Sequence, residues 1–371
     1  MSSVKILHTA DLHIGADWPE GTGETRGFEI CQTFGRICAL CRENGVDICL
    51  IAGDLFHSNA SAAPYFATVM EHISATADTR FFYVAGNHDP LDGSSPFVGR
   101  ELPENLKVFA TEFEEVTLPD IKVRIKGRSF ARPFSQRVDT DPMPQDDYVN
   151  ILLLHGDFGG SDSRYNPLNA DYIKAISPHY AALGHIHKRT AVERLGNSFI
   201  AYPGCPEGQG FDETGPKGVY MGILSGSGAE LEFIPTCRRI YAKERAEAAD
   251  LSAAELAEGI CAALKEKYGE GYGDNLYKIT LMGYGKGPAP AQVQQLLSER
   301  LFYVRVISRM RPRLNLATLA EEKSLKGLFT KTMLEKIDTA EEGAVTELEA
   351  ALWLGLEAFE AEVKYDEDNI C

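Results

Sequence analysis

The sequence predicts an α/β protein: a sheet sandwich flanked by helices, mixed rather than purely parallel, followed by a smaller α+β unit and a helical tail. Three observations predict it. Continuous apolar runs of strand length alternate with helical patterns through the first half. The character changes near Pro235, where shorter strands and helices alternate in a compact stretch. From Arg313 onward the pattern is helical and acidic.

The elements follow in order. "VKILHTAD" reads as a first strand, and residues 24 to 44 as a helix. "DICLIAGD" is a second strand, 62 to 77 a second helix, and "RFFYVAGN" a third strand. A strand-rich stretch (108 to 130) leads to "VNILLLHGD" and "YAALGHIH". Runs this continuously apolar suit strands buried on both faces. Residues 191 to 202 and 218 to 234 alternate more and read as hairpins. Residues 238 to 312 give strand, helix (252–268), strand (275–284), helix (290–299) and strand (301–310). In the tail, Leu325, Leu328, Phe329, Met333 and Ile337 recur at spacings of three to four. Val345, Leu348, Leu352, Leu356, Phe359 and Val363 do the same. Such stripes fit either helices packed on the body or a docking surface for a partner. The expected domains are 1–236, 237–312 and 313–371.

Bulk properties narrow the class. A chain of 371 residues exceeds what one core usually serves. No apolar run is long enough to span a membrane, and the opening residues do not read as a signal peptide. Cys38 and Cys41 have C-x-x-C spacing, but no second pair accompanies them, so they read as small apolar core residues. A reduced, cytoplasmic protein is expected. The net charge of −17 argues against coating nucleic acid by charge alone.

The strand ends carry the chemistry. The runs finish in "ADLHIG" (Asp11, His13), "AGDLFH" (Asp54, His57), "AGNHD" (Asn87, His88, Asp89), "LLHGD" (His155, Asp157) and "LGHIH" (His185, His187). Such strand ends collect at one edge of an open α/β sheet, where ligands bind. A single histidine after an apolar strand is ordinarily a hydrogen-bonded core residue; five such endings point to a common site. Gly53, Gly86 and Gly184 are expected to let the chain turn sharply around a buried ion. Imidazole, carboxylate and amide oxygen without thiolate suit manganese, iron or zinc. Seven candidate ligands over-supply one ion and serve two, and a paired-metal site suits displacement at phosphorus.

In this order, D-x-H, G-D, G-N-H-D, H and G-H-x-H resemble the calcineurin-like metallophosphoesterases. Within them the sequence is most similar to the SbcD group of DNA-repair nucleases and its YhaO-like exonuclease branch. "GDLFH", "YPGCPEGQGFDETGPKGVY" and the small α+β unit carry that likeness to about residue 312. The resemblance implies a four-layer α/β/β/α metallophosphoesterase sandwich with a smaller α+β cap and a helical C-terminal tail. It implies that Asp11, His13 and His187 hold one ion, that Asn87, His155 and His185 hold the second, and that Asp54 bridges them. His88 would act over the scissile phosphate with Asp89 orienting it, and His57 would help place the substrate backbone. The ions would be two divalent metals, manganese first, with iron, zinc or magnesium as alternatives. The substrate would be DNA at duplex ends. The tail would dock an SbcC-type, SMC-like ATPase; related nucleases also form homodimers.

Basic residues at Lys188, Arg189, Arg238, Arg239, Arg305, Arg309, Arg311 and Arg313 are candidate phosphate contacts. Two rival readings remain: a phosphodiesterase or phosphatase for small nucleotides or phosphoproteins, and a catalytically silent scaffold for an ATPase.

Overall fold

The computed structural model describes residues 3–16, 23–160, 162–311, 313–341 and 343–359. The strands are β1 (Ser3–Thr9), β2 (Ile48–Ala52), β3 (Arg80–Val84), β4 (Leu106–Val108), β5 (Glu114–Leu118), β6 (Val123–Gly127), β7 (Val149–His155), β8 (Tyr180–Gly184), β9 (Glu193–Leu195), β10 (Ser198–Ala201), β11 (Gly218–Ser225), β12 (Ala229–Pro235), β13 (Tyr241–Glu247), β14 (Leu276–Met282) and β15 (Tyr303–Ser308). The helices are α1 (Gly23–Asn44), α2 (Phe66–Ser74), α3 (Ala170–Ile176), α4 (Ala253–Tyr268), α5 (Pro290–Ser298), α6 (Leu316–Ala320), α7 (Leu325–Asp338) and α8 (Val345–Phe359).

Two six-stranded sheets, ordered β12-β11-β1-β2-β3-β4 and β5-β6-β7-β8-β10-β9, face one another. Both are mixed: β1, β2, β3 and β4 run parallel, while β11 and β12 add antiparallel at the edge. Alternation along each strand explains why the runs are apolar throughout. Ile48, Leu50 and Ala52 of β2 enter the core between the sheets, while Cys49 and Ile51 face α1 and α2. Ile151 and Leu153 of β7 enter that same core, while Leu152 and Leu154 face α3. Each central strand feeds two cores, which gives the α/β/β/α layering.

Cys38, Cys41 and Cys49 are fully buried in the core under α1, and burial pushes the Cys38 and Cys49 thiols up, so they remain apolar packing groups. The helix α3 is one that the apolar pattern of the sequence does not announce. Asn169 caps it by accepting from the Tyr172 N–H, and Tyr172, Ile173 and Ile176 bury its inner face.

A third, parallel sheet, β13-β14-β15, carries its own core against α4 and α5, built on Ile260, Leu264, Tyr277, Ile279 and Val304. Ser252 and Glu255 form a capping box at the start of α4. Beyond it α6, α7 and α8 share a small core of Leu319, Met333, Leu352, Trp353 and Leu356. Val363 of the second stripe lies outside the described residues. No described helix is long and apolar enough to cross a membrane.

Candidate active site

The strand-end residues meet at one edge of the two sheets. Asp11 and His13 follow β1, Asp54 follows β2, Asn87 and His88 follow β3, His155 ends β7, and His185 and His187 follow β8. The backbone is bent to bring them there. Asp11 (φ 53°), His13 (φ 48°), Asp54 (φ 50°) and His185 (φ 108°) all have left-handed φ, which non-glycine residues rarely adopt. Backbone bonds hold the turns: the Asp11 N–H donates to Gly53 O and the His13 N–H to Asp54 O, each at 3.0 Å.

The three glycines act in two ways. Gly53 has a φ of 94°, as a sharp turn requires. Gly86 and Gly184 give space instead. A Cβ on Gly86 would fall 2.1 Å from Asp54 Oδ1, and one on Gly184 1.8 Å from Ala52 O.

Asp54 sits at the middle. Its Oδ2 lies 3.7 Å from His13 Nε2 and 3.4 Å from His155 Nε2, and its Oδ1 accepts from the His88 N–H at 2.9 Å. On one side His13 Nε2 is 3.0 Å from His187 Nε2, with the Asp11 carboxylate alongside. On the other, Asn87 Oδ1 lies 2.9 Å from His155 Nε2 and 3.1 Å from His185 Nδ1. Asp11 also accepts from the His185 N–H at 3.0 Å, which ties the two sides together.

The donor set fits divalent cations. His155 Nδ1 lies 2.8 Å from Ala52 O, which fixes the proton there and aims the bare Nε2 at two oxygens. His187 Nδ1 donates to Glu213 Oε1, which leaves its Nε2 lone pair facing His13. Converging acceptors need positive charge between them. Burial alone would lower His155, but Asp54 overrides it and raises it to about 9. Burial alone would raise Asp54, but His155 and His13 hold it well below the ordinary range. Burial lowers His13 to about 3 and His185 to about 4 and raises Asp11 to about 6. His13 Nδ1 is buried with no hydrogen-bond partner among the described residues.

His88 is exposed beside this cluster, its ring 4.6 Å from that of His13 and 5.3 Å from that of His57. Its Nδ1 lies 3.1 Å from the His57 carbonyl. Asp89 does not orient it. The buried Asp89 carboxylate accepts from Tyr83 OH at 2.5 Å and from the Phe56 and Gly86 N–H groups at 2.9 Å. It staples the His88 loop to β3 and to the Asp54 loop, so neighbours in sequence part company in space.

Glu213 was not anticipated. Its Oε1 accepts from His187 Nδ1; its Oε2 accepts from the Gln209 N–H at 2.8 Å and faces the Cys205 thiol at 3.3 Å. A carboxylate fixing a histidine's tautomer is the usual support of a metal ligand. The signal available was its place in "YPGCPEGQGFDETGPKGVY".

The basic residues divide. Arg239 is buried, forks onto Glu29 and lies 3.4 Å over Phe302, so it is structural and offers no phosphate contact. Arg189 lies 4.0 Å over Phe233, Arg311 stands over Trp353, and Arg313 pairs with Asp250. Lys188 is exposed.

Residues 4–189 match the family model of the calcineurin-like phosphoesterases. Uncharacterized metallophosphoesterase YhaO of Bacillus subtilis is 28% identical over 255 residues, 63% of this chain and 60% of that protein. DNA double-strand break repair protein Mre11 of Methanopyrus kandleri is 25% identical, covering 62% of this chain and 56% of its own. The SbcD component of the SbcCD nuclease of Bacillus subtilis is 23% identical, covering 57% and 64%. The chain thus spans less than two thirds of the length of these relatives. It belongs to the calcineurin-like phosphoesterase family, hydrolases that work with divalent metal ions.

Proposed function

We propose that the protein is a two-metal DNA nuclease, an exonuclease acting at duplex ends with manganese in double-strand break repair, and that it works with an SMC-like ATPase. The observation that carries this reading is Asp54, set between a His13–His187–Asp11 group and an Asn87–His155–His185 group. One carboxylate between two ligand sets is what a bridged pair of ions requires. Bound there, the ions would clamp a phosphate, lower the pKa of an attacking water and offset charge on the leaving oxygen.

The protein's own groups supply the rest. His88 is exposed at the mouth and held at Nδ1 by the His57 carbonyl, so its Nε2 is available to protonate or stabilise a leaving oxygen. His57 lines the same mouth. Residues 1–236 would form the nuclease body, 237–312 a cap that helps hold DNA, and 313–371 the docking tail.

DNA is favoured by the open face of the third sheet. Lys243, Lys278 and Arg305 stand in one row across β13, β14 and β15, and Arg245 lies two residues further along β13. Lys243, Arg245, Lys278 and Arg309 line a groove of about 370 Å³. A row of cationic side chains on an open sheet face suits a polyanion, and the similarity to Mre11 and the SbcD component points the same way.

The test is cleavage of linear duplex with Mn²⁺, with and without EDTA, beside His88→Ala. Metal-dependent shortening from the ends, much reduced in the variant, is expected. No cleavage by the wild type sinks the reading, and hydrolysis of small phosphodiesters alone transfers it to a nucleotide phosphodiesterase.

A further inference from the structure

Beside the His185 edge of the cluster lies a cavity of about 610 Å³, whose lining includes Asp157, Asp162, Arg164, Tyr165 and His185. An aromatic ladder leads from His185 and Tyr165 in that lining to Phe134 just beyond it. The His185 and Tyr165 rings are 4.8 Å apart, and the Tyr165 and Phe134 rings 5.5 Å. The Arg164 guanidinium carbon lies 4.3 Å over the Phe134 ring. Phe134 is 50% exposed, so part of its ring is open to a stacking partner.

The ladder is built in. The Ser135 N–H donates to Arg164 O at 3.0 Å and the Asn166 N–H to Ser135 O at 2.6 Å, which joins the two loops. Asn166 Nδ2 then donates to the carbonyl of His155 at 2.8 Å, which anchors them to the strand end carrying that histidine. The platform is therefore registered to the cluster.

The lining selects the occupant. Two carboxylates, Asp157 and Asp162, disfavour a second phosphate. Flat π surfaces with acceptors at the rim suit a neutral ring bearing N–H donors. We propose that Phe134, Arg164 and Tyr165 form a stacking platform for the nucleobase adjoining the scissile phosphate, with Asp157 and Asp162 along its edge. The proposal rests on the nuclease reading and adds a base subsite to it.

The experiment uses the full-length protein with Mn²⁺ and a duplex carrying 2-aminopurine beside the scissile phosphate, in a His88→Ala background that slows cleavage. Binding is expected to quench the fluorescence, Phe134→Ala to abolish the quench, and Phe134→Trp to restore it. With His88 present, Phe134→Ala should raise KM about fivefold, the low end for one lost base stack. An abasic nucleotide at that position should cost the wild type as much and Phe134→Ala nothing more. An unchanged quench in Phe134→Ala, or additive losses, overturns the platform. If the wild type cuts no DNA, the nuclease reading fails separately. The platform is then decided by p-nitrophenyl thymidine 5′-phosphate against p-nitrophenyl methyl phosphate. Phe134→Ala should raise KM for the nucleoside ester alone, and equal effects on both overturn it.

Discussion

The edge of the two large sheets and the C-terminal helices α6 to α8 are built on opposite plans. At the edge, four site residues sit in left-handed φ, and the Asp11, Asp54 and His155 side chains are almost wholly buried. Each is fixed from several directions, and that over-determination is what allows strain to persist. The C-terminal helices share a core of a few side chains and leave Leu325 and Leu328 73% and 61% exposed. Where chemistry is specified, every partner of a residue is specified too. Where only an amphipathic stripe is specified, its orientation is settled by packing detail.

The largest expected effect lies at the most constrained point. Asp54→Asn removes the charge that faces His13 and His155 while keeping the shape. If Asp54 bridges two ions as proposed, hydrolysis should fall by at least about a thousandfold, such a carboxylate being worth more than one oxyanion donor. Metal content measured after dialysis should fall below that of the wild type. Full metal content with full activity would show that the edge tolerates loss of its centre, and the contrast with the tail would collapse.

Glu213→Gln should cost less, about ten- to a hundredfold in metal affinity by calorimetry, with the fold intact. Glu213→Asp should recover part of it, and an unchanged affinity would make Glu213 a loop staple like Asp89. The pair also marks what the sequence could convey. That Asp11, His13, Asp54, Asn87, His155, His185 and His187 would meet was legible because the apolar strands end in them, and strand ends share an edge. Glu213 was not, because it meets His187 through a loop whose course only the tertiary fold sets. Asp89 was misread as His88's partner because adjacency in sequence says nothing about direction. Arg239 was misread because charge alone does not distinguish a buried fork from a surface contact.

A pH experiment examines the same plan away from the ligand cluster. His8 on β1 is fully buried, with Nδ1 2.8 Å from Tyr180 OH. Burial lowers its pKa from 6.5 to about 3. The folded state therefore binds this proton less readily than the unfolded chain. The stability this gives is fully present above pH 6.5, declines as pH falls below it, and is gone below about pH 3. His8→Gln keeps a polar partner for Tyr180 without titrating. Its unfolding free energy in urea should fall less steeply between pH 6 and 4, by up to about 1.4 kcal/mol per pH unit. Parallel slopes would remove His8 from the account.

The smallest effect is expected in the tail. The stripe Leu325, Leu328, Phe329, Met333 and Ile337 fits either packing or docking, and it splits. Met333 is buried, Phe329 and Ile337 pack against the small core, and Leu325 and Leu328 are exposed, while Gly327 and Thr330 are buried on the same helix. A Cβ on Gly327 would fall 2.2 Å from Glu322 O and 2.9 Å from Leu319 O. Close approach of α7 to the backbone at the end of α6 thus sets the helix's rotation and turns Leu325 and Leu328 outward. Leu325→Ser with Leu328→Ser should change stability by no more than about 0.5 kcal/mol. Leu352→Ala, 1% exposed on α8, should cost about 2–5 kcal/mol. The same double variant separates the two uses of the stripe. If the tail docks an ATPase, co-purification with any ATPase encoded beside the gene should weaken while stability holds. Large destabilisation by the double variant would mean that Leu325 and Leu328 pack after all, and the tail would then follow the same plan as the sheet edge.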